Sequence, residues 1–135
     1  MQLKDAIQNR KSIRTFSDKP LTNYELKMIH WAAYKVPSAG ALYPLEIIRV
    51  ENIPTVFVIV ADFKKTTVKY GDRGRRYVYI EAGHMAQNIS LLCVELNLAC
   101  YCIGAFDDVE LKKSLNCKED PIYMLAIGHK KEVGL

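Results

Sequence analysis

The sequence predicts one α+β domain over residues 1–135, a mixed, mainly antiparallel sheet flanked by helices. Three observations lead there. Within residues 77–96 the apolar positions Val78, Ala82, Met85, Ala86, Ile89, Cys93 and Leu96 recur at steps of three and four, the helical period. Residues 55–61 are apolar throughout, as in a central strand covered on both faces. The patterns follow one another as helix, helix, strand, strand, helix, strand, helix, strand, with no internal repeat or low-complexity segment.

In chain order, residues 3–9 form a short helix with Leu3, Ala6 and Ile7 as its apolar face. It runs into Arg10-Lys11-Ser12-Ile13-Arg14-Thr15-Phe16, rich in cations and hydroxyls. In an extended segment Arg10, Ser12 and Arg14 share one face and could converge on an anion, and the planar fork of arginine suits phosphate. A solvated basic edge is the ordinary alternative. Lys19-Pro20 turns the chain, and Thr22 with Glu25 makes a capping box that starts a helix over residues 23–34. Leu26, Ile29 and Ala33, with Trp31 as a further candidate, face the core. Pro37 ends that helix. Pro37-Ser38-Ala39-Gly40-Ala41-Leu42-Tyr43-Pro44 follows, a loop of small residues between two prolines. Its backbone can be approached closely and Ser38 offers a hydroxyl, so a flat aromatic ligand could lie there; a plain connecting loop is the alternative.

Residues 45–50 read as an outer strand, joined through residues 51–54 to the central strand in a hairpin-like connection. Residues 62–76 are polar and basic, a loop or frayed helix start. After Asn88 the long helix also carries Leu91, Leu92 and Val94, so its second half is expected to be covered on more than one side, as half of a subunit interface. A third strand spans residues 99–103 and leads to the bare backbone of Gly104-Ala105. Asp107 caps a helix ending at Leu115, packed through Val109, Leu111, Lys112 and Leu115. Pro121 opens a fourth strand over residues 122–127, closed by Gly128. The remaining tail, residues 129–135, carries Lys130 and Lys131 at its root.

The chain is long enough to bury a core without staples, and half of its residues are apolar. Its net charge of +4 is mild and its cations are dispersed, which points to local anion sites and away from nucleic acid. No window is apolar enough to span a membrane and no basic stub with an apolar run opens the chain, so a cytoplasmic protein without membrane partners is expected. Cys93, Cys100, Cys102 and Cys117 show no paired metal spacing. They read as reduced, mostly buried thiols, with Cys100 and Cys102 on one strand face and no metal bound. On the long helix, Glu81, His84, Gln87 and Asn88 are ambiguous and stay outside the catalytic set; a packing role is the commoner one for His84 and a backbone cap for Gln87 or Asn88.

Four stretches together resemble the nitroreductase family of flavin enzymes, most closely its SagB-type dehydrogenase branch. They are residues 10–16, residues 37–46, Lys69-Tyr70-Gly71-Asp72-Arg73 running into residues 81–88, and Ile103-Gly104-Ala105-Phe106-Asp107-Asp108. The resemblance covers nearly the whole chain in order. It implies a nitroreductase-like fold and FMN held at the interface of a homodimer. Hydride would pass from NAD(P)H through the flavin to a small-molecule acceptor in a ping-pong cycle. By resemblance, Arg10, Lys11, Ser12 and Arg14 hold the phosphate and ribityl chain, and Lys130 or Lys131 completes the phosphate site. Pro37, Ser38, Ala39 and Gly40 lie along the flavin ring, with Ile103, Gly104 and Ala105 over its other side. Lys69 and Tyr70 resemble a catalytic pair linked to oxidation of azoline rings, beside nitroaromatics and quinones as acceptors. The family carries some tens of residues more between the strands at 45–50 and 55–61, where this chain has only residues 51–54, and a longer C-terminal wrap. The flavin floor is thus expected intact in a minimal version of the fold, with part of the substrate wall and dimer clasp missing. The alternative is a catalytically weak flavin-binding, structural or sensor homodimer.

Overall fold

In the computed structural model, which describes residues 1–132, the sheet forms from four strands. These are β1 (Leu45–Val50), β2 (Thr55–Ala61), β3 (Leu98–Ile103) and β4 (Asp120–His129), in the order β1-β2-β4-β3. All three pairings are antiparallel, so the expected mixed sheet has no parallel pair among the described residues. The sequence order of outer and central strands holds: β1 is an edge and β2 is buried along almost its whole length.

Five helices accompany the sheet: α1 (Leu3–Asn9), α2 (Asn23–Ala33), α3 (Lys64–Tyr70), α4 (Arg73–Glu95) and α5 (Asp108–Leu115). The capping box of α2 is present, with Thr22 N–H donating to Glu25 Oε1 at 2.8 Å and Glu25 N–H to Thr22 Oγ1 at 3.1 Å. Tyr34, just past the end of α2, accepts a hydrogen bond from Ile47 N at 2.9 Å and so ties the helix to the edge strand. Asn88 of α4 donates to Lys35 O at 2.8 Å, satisfying a carbonyl beyond the end of α2. Asp107 caps α5 by accepting from Glu110 N at 2.9 Å.

The core lies between α2, α4 and one face of the sheet. Val78, Ala82, Met85, Ala86, Ile89 and Cys93 of α4 meet Ile29 and Ala33 of α2, Phe57 and Ile59 of β2, and Leu125 and Ile127 of β4. This is the expected stripe.

Several apolar residues expected inside are exposed. Leu3 and Ile7 stand out from α1 and only Ala6 is buried there; Trp31 is 54% exposed, and its neighbour Ala32 takes the core position. Val109 is exposed and α5 buries no residue, because it touches the sheet only along one side of β4. The segment over residues 62–76, expected as a loop or frayed helix start, contains α3 and the first turn of α4. The reason is a close approach: a Cβ on Gly74 would sit 3.1 Å from the backbone carbonyl of Thr66, so only a hydrogen at that position lets the two helix backbones touch. Val133, Gly134 and Leu135, the end of the expected tail, lie outside the described residues.

A half-buried pair joins α2 to the end of the sheet, with His129 Nε2 2.9 Å from Glu25 Oε1. Burial pushes the Glu25 carboxyl upward, but the hydrogen bonds from Thr22 and His129 together outweigh it and hold the group below its ordinary value of 4.5.

Two predictions follow from this packing. Gly74→Val, which drives a branched side chain into the Thr66 backbone, is expected to lower stability by about 1–3 kcal/mol in urea unfolding. A carboxyl held low in the folded state stabilises above its unfolded value and loses that contribution as pH falls through the folded one. The stability advantage of the parent over Glu25→Gln should therefore be full near neutrality and shrink as pH drops below 4.5.

Candidate functional site

The end of α1, the segment that follows it, the second half of α4 and strand β3 enclose a cavity of about 510 Å³. Ile13 N–H donates to Cys100 O at 3.1 Å and Ser17 N–H to His129 O at 2.9 Å, which lays the basic segment across the ends of β3 and β4. Arg10, Lys11 and Ser12 line the cavity, and Lys130 reaches it from beyond β4 while donating to Asn97 Oδ1 at 2.9 Å. Its described lining residues include no aspartate or glutamate. Such a space attracts anions.

The alternating face of Arg10, Ser12 and Arg14 does not form as expected. The segment is not in regular strand conformation, so consecutive residues 10–13 line the cavity. Arg14 instead stands over Tyr101, its guanidinium 5.5 Å from the ring centroid, and Tyr101 is itself part of the cavity wall. Lys131 lines a different recess with Ser17 and Asp18.

A second cluster forms where the loop after α2 meets α3 and α4. Ser38 Oγ accepts from Tyr43 N at 3.0 Å and closes the loop on itself around a single 3-10 turn, Ala39–Ala41. Gly40 has φ +62°, and a Cβ there would lie 2.8 Å from Tyr70 Oη and 3.1 Å from Lys69 Nζ. Glycine thus lets the end of α3 press its amine and phenol onto the loop. Lys69 Nζ lies 5.3 Å from the Tyr70 ring centroid, and Tyr70 meets Tyr77 edge-on at 5.2 Å. Pro37, Ser38 and Ala39 line a smaller cavity of about 280 Å³ with Tyr77, Ile80, Glu81 and His84.

Glu81 is 4% exposed. Burial pushes its carboxyl above the ordinary value, against the Ser38 hydrogen bond and the nearby His84, which both favour the charged form. Sequence reasoning set this residue aside, although Glu81 lies three residues after Val78 and four before Met85, on the buried stripe of its helix.

Ile103 ends β3 opposite Met124, and Gly104 and Ala105 follow in the open. A Cβ on Gly104 would find only the Tyr123 ring, at 3.9 Å. The two cavities have no lining residue in common, and neither is lined by Gly104 or Ala105. One chain therefore holds the expected elements as separate surfaces.

The larger cavity also contains a thiol group that sequence reasoning left as plain packing. Cys93, Cys100 and Cys102 all line it, and all are free. A hydrogen bond from Cys93, together with Ser90 and the Arg10 charge, holds the Cys100 thiol below its ordinary value despite burial, while Cys93 is pushed up. The available signal was the shared strand face of Cys100 and Cys102. Among the described residues no group of three His, Cys, Asp or Glu side chains could hold a metal ion, and no helix is long and apolar enough to cross a membrane.

Comparison with known proteins agrees with this architecture. The Nitroreductase family profile matches residues 7–53 and again residues 48–129. A protein of Methanocaldococcus jannaschii, provisionally named a nitroreductase, is 33% identical over 184 residues, covering 98% of this chain and 93% of the relative. That alignment is longer than the 135 residues here, so the relative carries residues that this chain lacks. The profile breaks and resumes between β1 and β2, where the short hairpin lies.

Among solved structures, a nitroreductase family protein of Clostridium difficile superposes with a TM-score of 0.87 at 19% identity, covering 98% of this chain and 87% of its own. The NADPH:FMN oxidoreductase of Vibrio harveyi, solved with NAD+, superposes with a TM-score of 0.84 at 18% identity, covering 96% of this chain and 69% of its own. Each of these shares the fold. With the family profile matched on both sides of the shortened hairpin and a third of its residues shared with a relative it nearly spans, the chain belongs to the nitroreductase family.

Proposed function

We propose that the chain is a cytoplasmic, homodimeric FMN-dependent oxidoreductase that moves hydride from NAD(P)H to a small acceptor in two successive half-reactions. The observation that carries this reading is the cavity lined by Arg10, Lys11, Ser12 and Lys130 without a described carboxylate. That donor set fits a phosphate ester: Arg10 offers a fork of hydrogen bonds, Ser12 a hydroxyl, and the two lysines point charges. Arg14, stacked on Tyr101, holds a further cation beside the same wall. Lys130 lines both the larger cavity and the adjoining recess, whereas Lys131 lines only the recess, so the assignment goes to Lys130.

When bound, FMN supplies a ring that takes up a hydride from one partner and delivers it to another. Pro37, Ser38 and Ala39 line a cavity wall along which a planar group fits, while Gly40 takes the Lys69 and Tyr70 side chains against its backbone. The open backbone of Ile103, Gly104 and Ala105 offers amides to developing negative charge. Lys69 and Tyr70, pressed against Gly40, place an amine and a phenol where a substrate proton can be held or removed. Together with the loop over residues 37–46, that pair supports the SagB-type reading, in which an azoline ring would be oxidised as a hydride donor to the flavin, while nitroaromatics and quinones are the acceptor classes.

A dimer is supported by the separation of the two cavities within one chain, which suits a site completed by a second copy. Ile80 on α4, with Leu3 and Ile7 on α1, leaves apolar surface available for such an interface. The shortened β1–β2 connection favours a second reading, a catalytically weak flavin-binding or sensor homodimer, because residues present in the relative are missing here.

Two measurements test the proposal. A charge-assisted hydrogen bond contributes roughly 1.5–3 kcal/mol, so Arg10→Ala should weaken FMN binding about 10- to 100-fold in a fluorescence titration. Unchanged affinity would remove the phosphate assignment. Steady-state oxidation of NADPH or NADH with a quinone or nitroaromatic acceptor should proceed in the FMN-loaded parent. Lys69→Met should slow azoline oxidation while leaving FMN affinity as it was. Bound FMN without turnover on any acceptor selects the second reading.

A further inference from the structure

Beside the cations of the larger cavity stands a wall of thiols that hydride transfer leaves unused. Cys93 comes from α4, and Cys100 and Cys102 from one face of β3. Ser90 Oγ sits between the strand thiols, 4.0 Å from Cys100 Sγ and 3.9 Å from Cys102 Sγ. Cys93 and Cys100 are buried, whereas Cys102 is half-buried and is the sulfur that a molecule in the cavity meets first. Arg10, Lys11 and Lys130 line the same space. Cationic surroundings concentrate anions beside the thiol.

We propose that Cys102 is a modification site for small anionic disulfides, which the cavity's cations collect and hold against the sulfur. The Cys102 thiolate attacks one sulfur of the disulfide. A new S–S bond forms to the protein, the reagent's S–S bond breaks, and its other half leaves as a thiolate with the bonding electron pair. The proton lost from Cys102 passes to solvent, and the disulfide itself is the oxidant. The resulting mixed disulfide occupies the space assigned above to the cofactor's phosphate, so modification and FMN loading exclude one another. Only that last consequence rests on the cofactor reading.

Cys117 is an internal control. It is also free and half-buried, but its thiol donates to Glu119 O at 3.3 Å in a segment that carries the Glu119 and Asp120 carboxylates. The purified chain is treated with the dianionic disulfide dithiobis(nitrobenzoate) or with neutral dithiodipyridine, and the modified cysteines are mapped by mass spectrometry. At low salt the anionic reagent should modify Cys102 at least about tenfold faster than Cys117, and molar salt should erase that preference. The neutral reagent should show no salt-sensitive preference. Arg10→Gln should slow the anionic reagent alone, and Cys102→Ser should abolish the fast phase. A fast phase that survives Cys102→Ser, or a preference indifferent to salt, overturns the proposal. Rapid modification of Cys102 under saturating bound FMN overturns the mutual exclusion and leaves the thiol site standing. Salt-sensitive modification in a chain that binds no FMN counts against the cofactor reading alone.

Discussion

Everything in this protein leans on the contact between one face of α4 and one face of the sheet. The helix is 23 residues long, about 35 Å of rigid rod at 1.5 Å per residue. Its stripe of Val78, Ala82, Met85, Ile89 and Cys93 fixes its rotation, since each of these side chains is almost wholly removed from water. Rotation decides what the remaining faces present. Glu81 is turned toward the loop of Ser38, Asn88 toward the end of α2, and Ser90 toward the sulfurs of β3. Both cavities are therefore built against the same rod, one near each end, and a change in its seating would disturb both at once.

Charge separates the two cavities as clearly as position does. The larger gathers Arg10, Lys11 and Lys130 from distant parts of the chain, with backbone hydrogen bonds at Ile13 and Ser17 holding the first segment in place and no ion pair to these three among the described residues. The smaller places a buried carboxyl beside a serine hydroxyl, with a lysine and tyrosine pressed on the same loop. An anionic tail and a planar, proton-exchanging head would suit these two environments in turn.

Shortening this fold between β1 and β2 leaves the sheet intact because the two strands pair directly through a tight hairpin, in register from Leu45 with Ala61 to Val50 with Val56. The edge strand needs no further support than Tyr34 and the core side of α2.

The sequence by itself determined the parts governed by short-range rules. Helical periodicity placed α4, the Thr22 and Glu25 box started α2, Asp107 started α5, and unbroken apolar character marked β2 as central. Small residues between prolines marked the loop, and clustered arginines marked an anion site. Tertiary structure alone decided the rest. Helix α3 packs its backbone closely against Gly74 of α4, a contact that local pattern does not show, while Thr66, Thr67 and Val68 read locally as poor helix formers. Leu3, Ile7 and Trp31 carry helical spacing yet face outward, since spacing shows which residues share a face and not whether anything covers it. Arg14 stands over Tyr101 because the segment meets the sheet through separate backbone bonds at Ile13 and Ser17 and is not a regular strand with alternating faces. Nor does any local pattern place Arg10 and Lys130 beside Cys102, residues joined only through long-range pairing of β3 with β4.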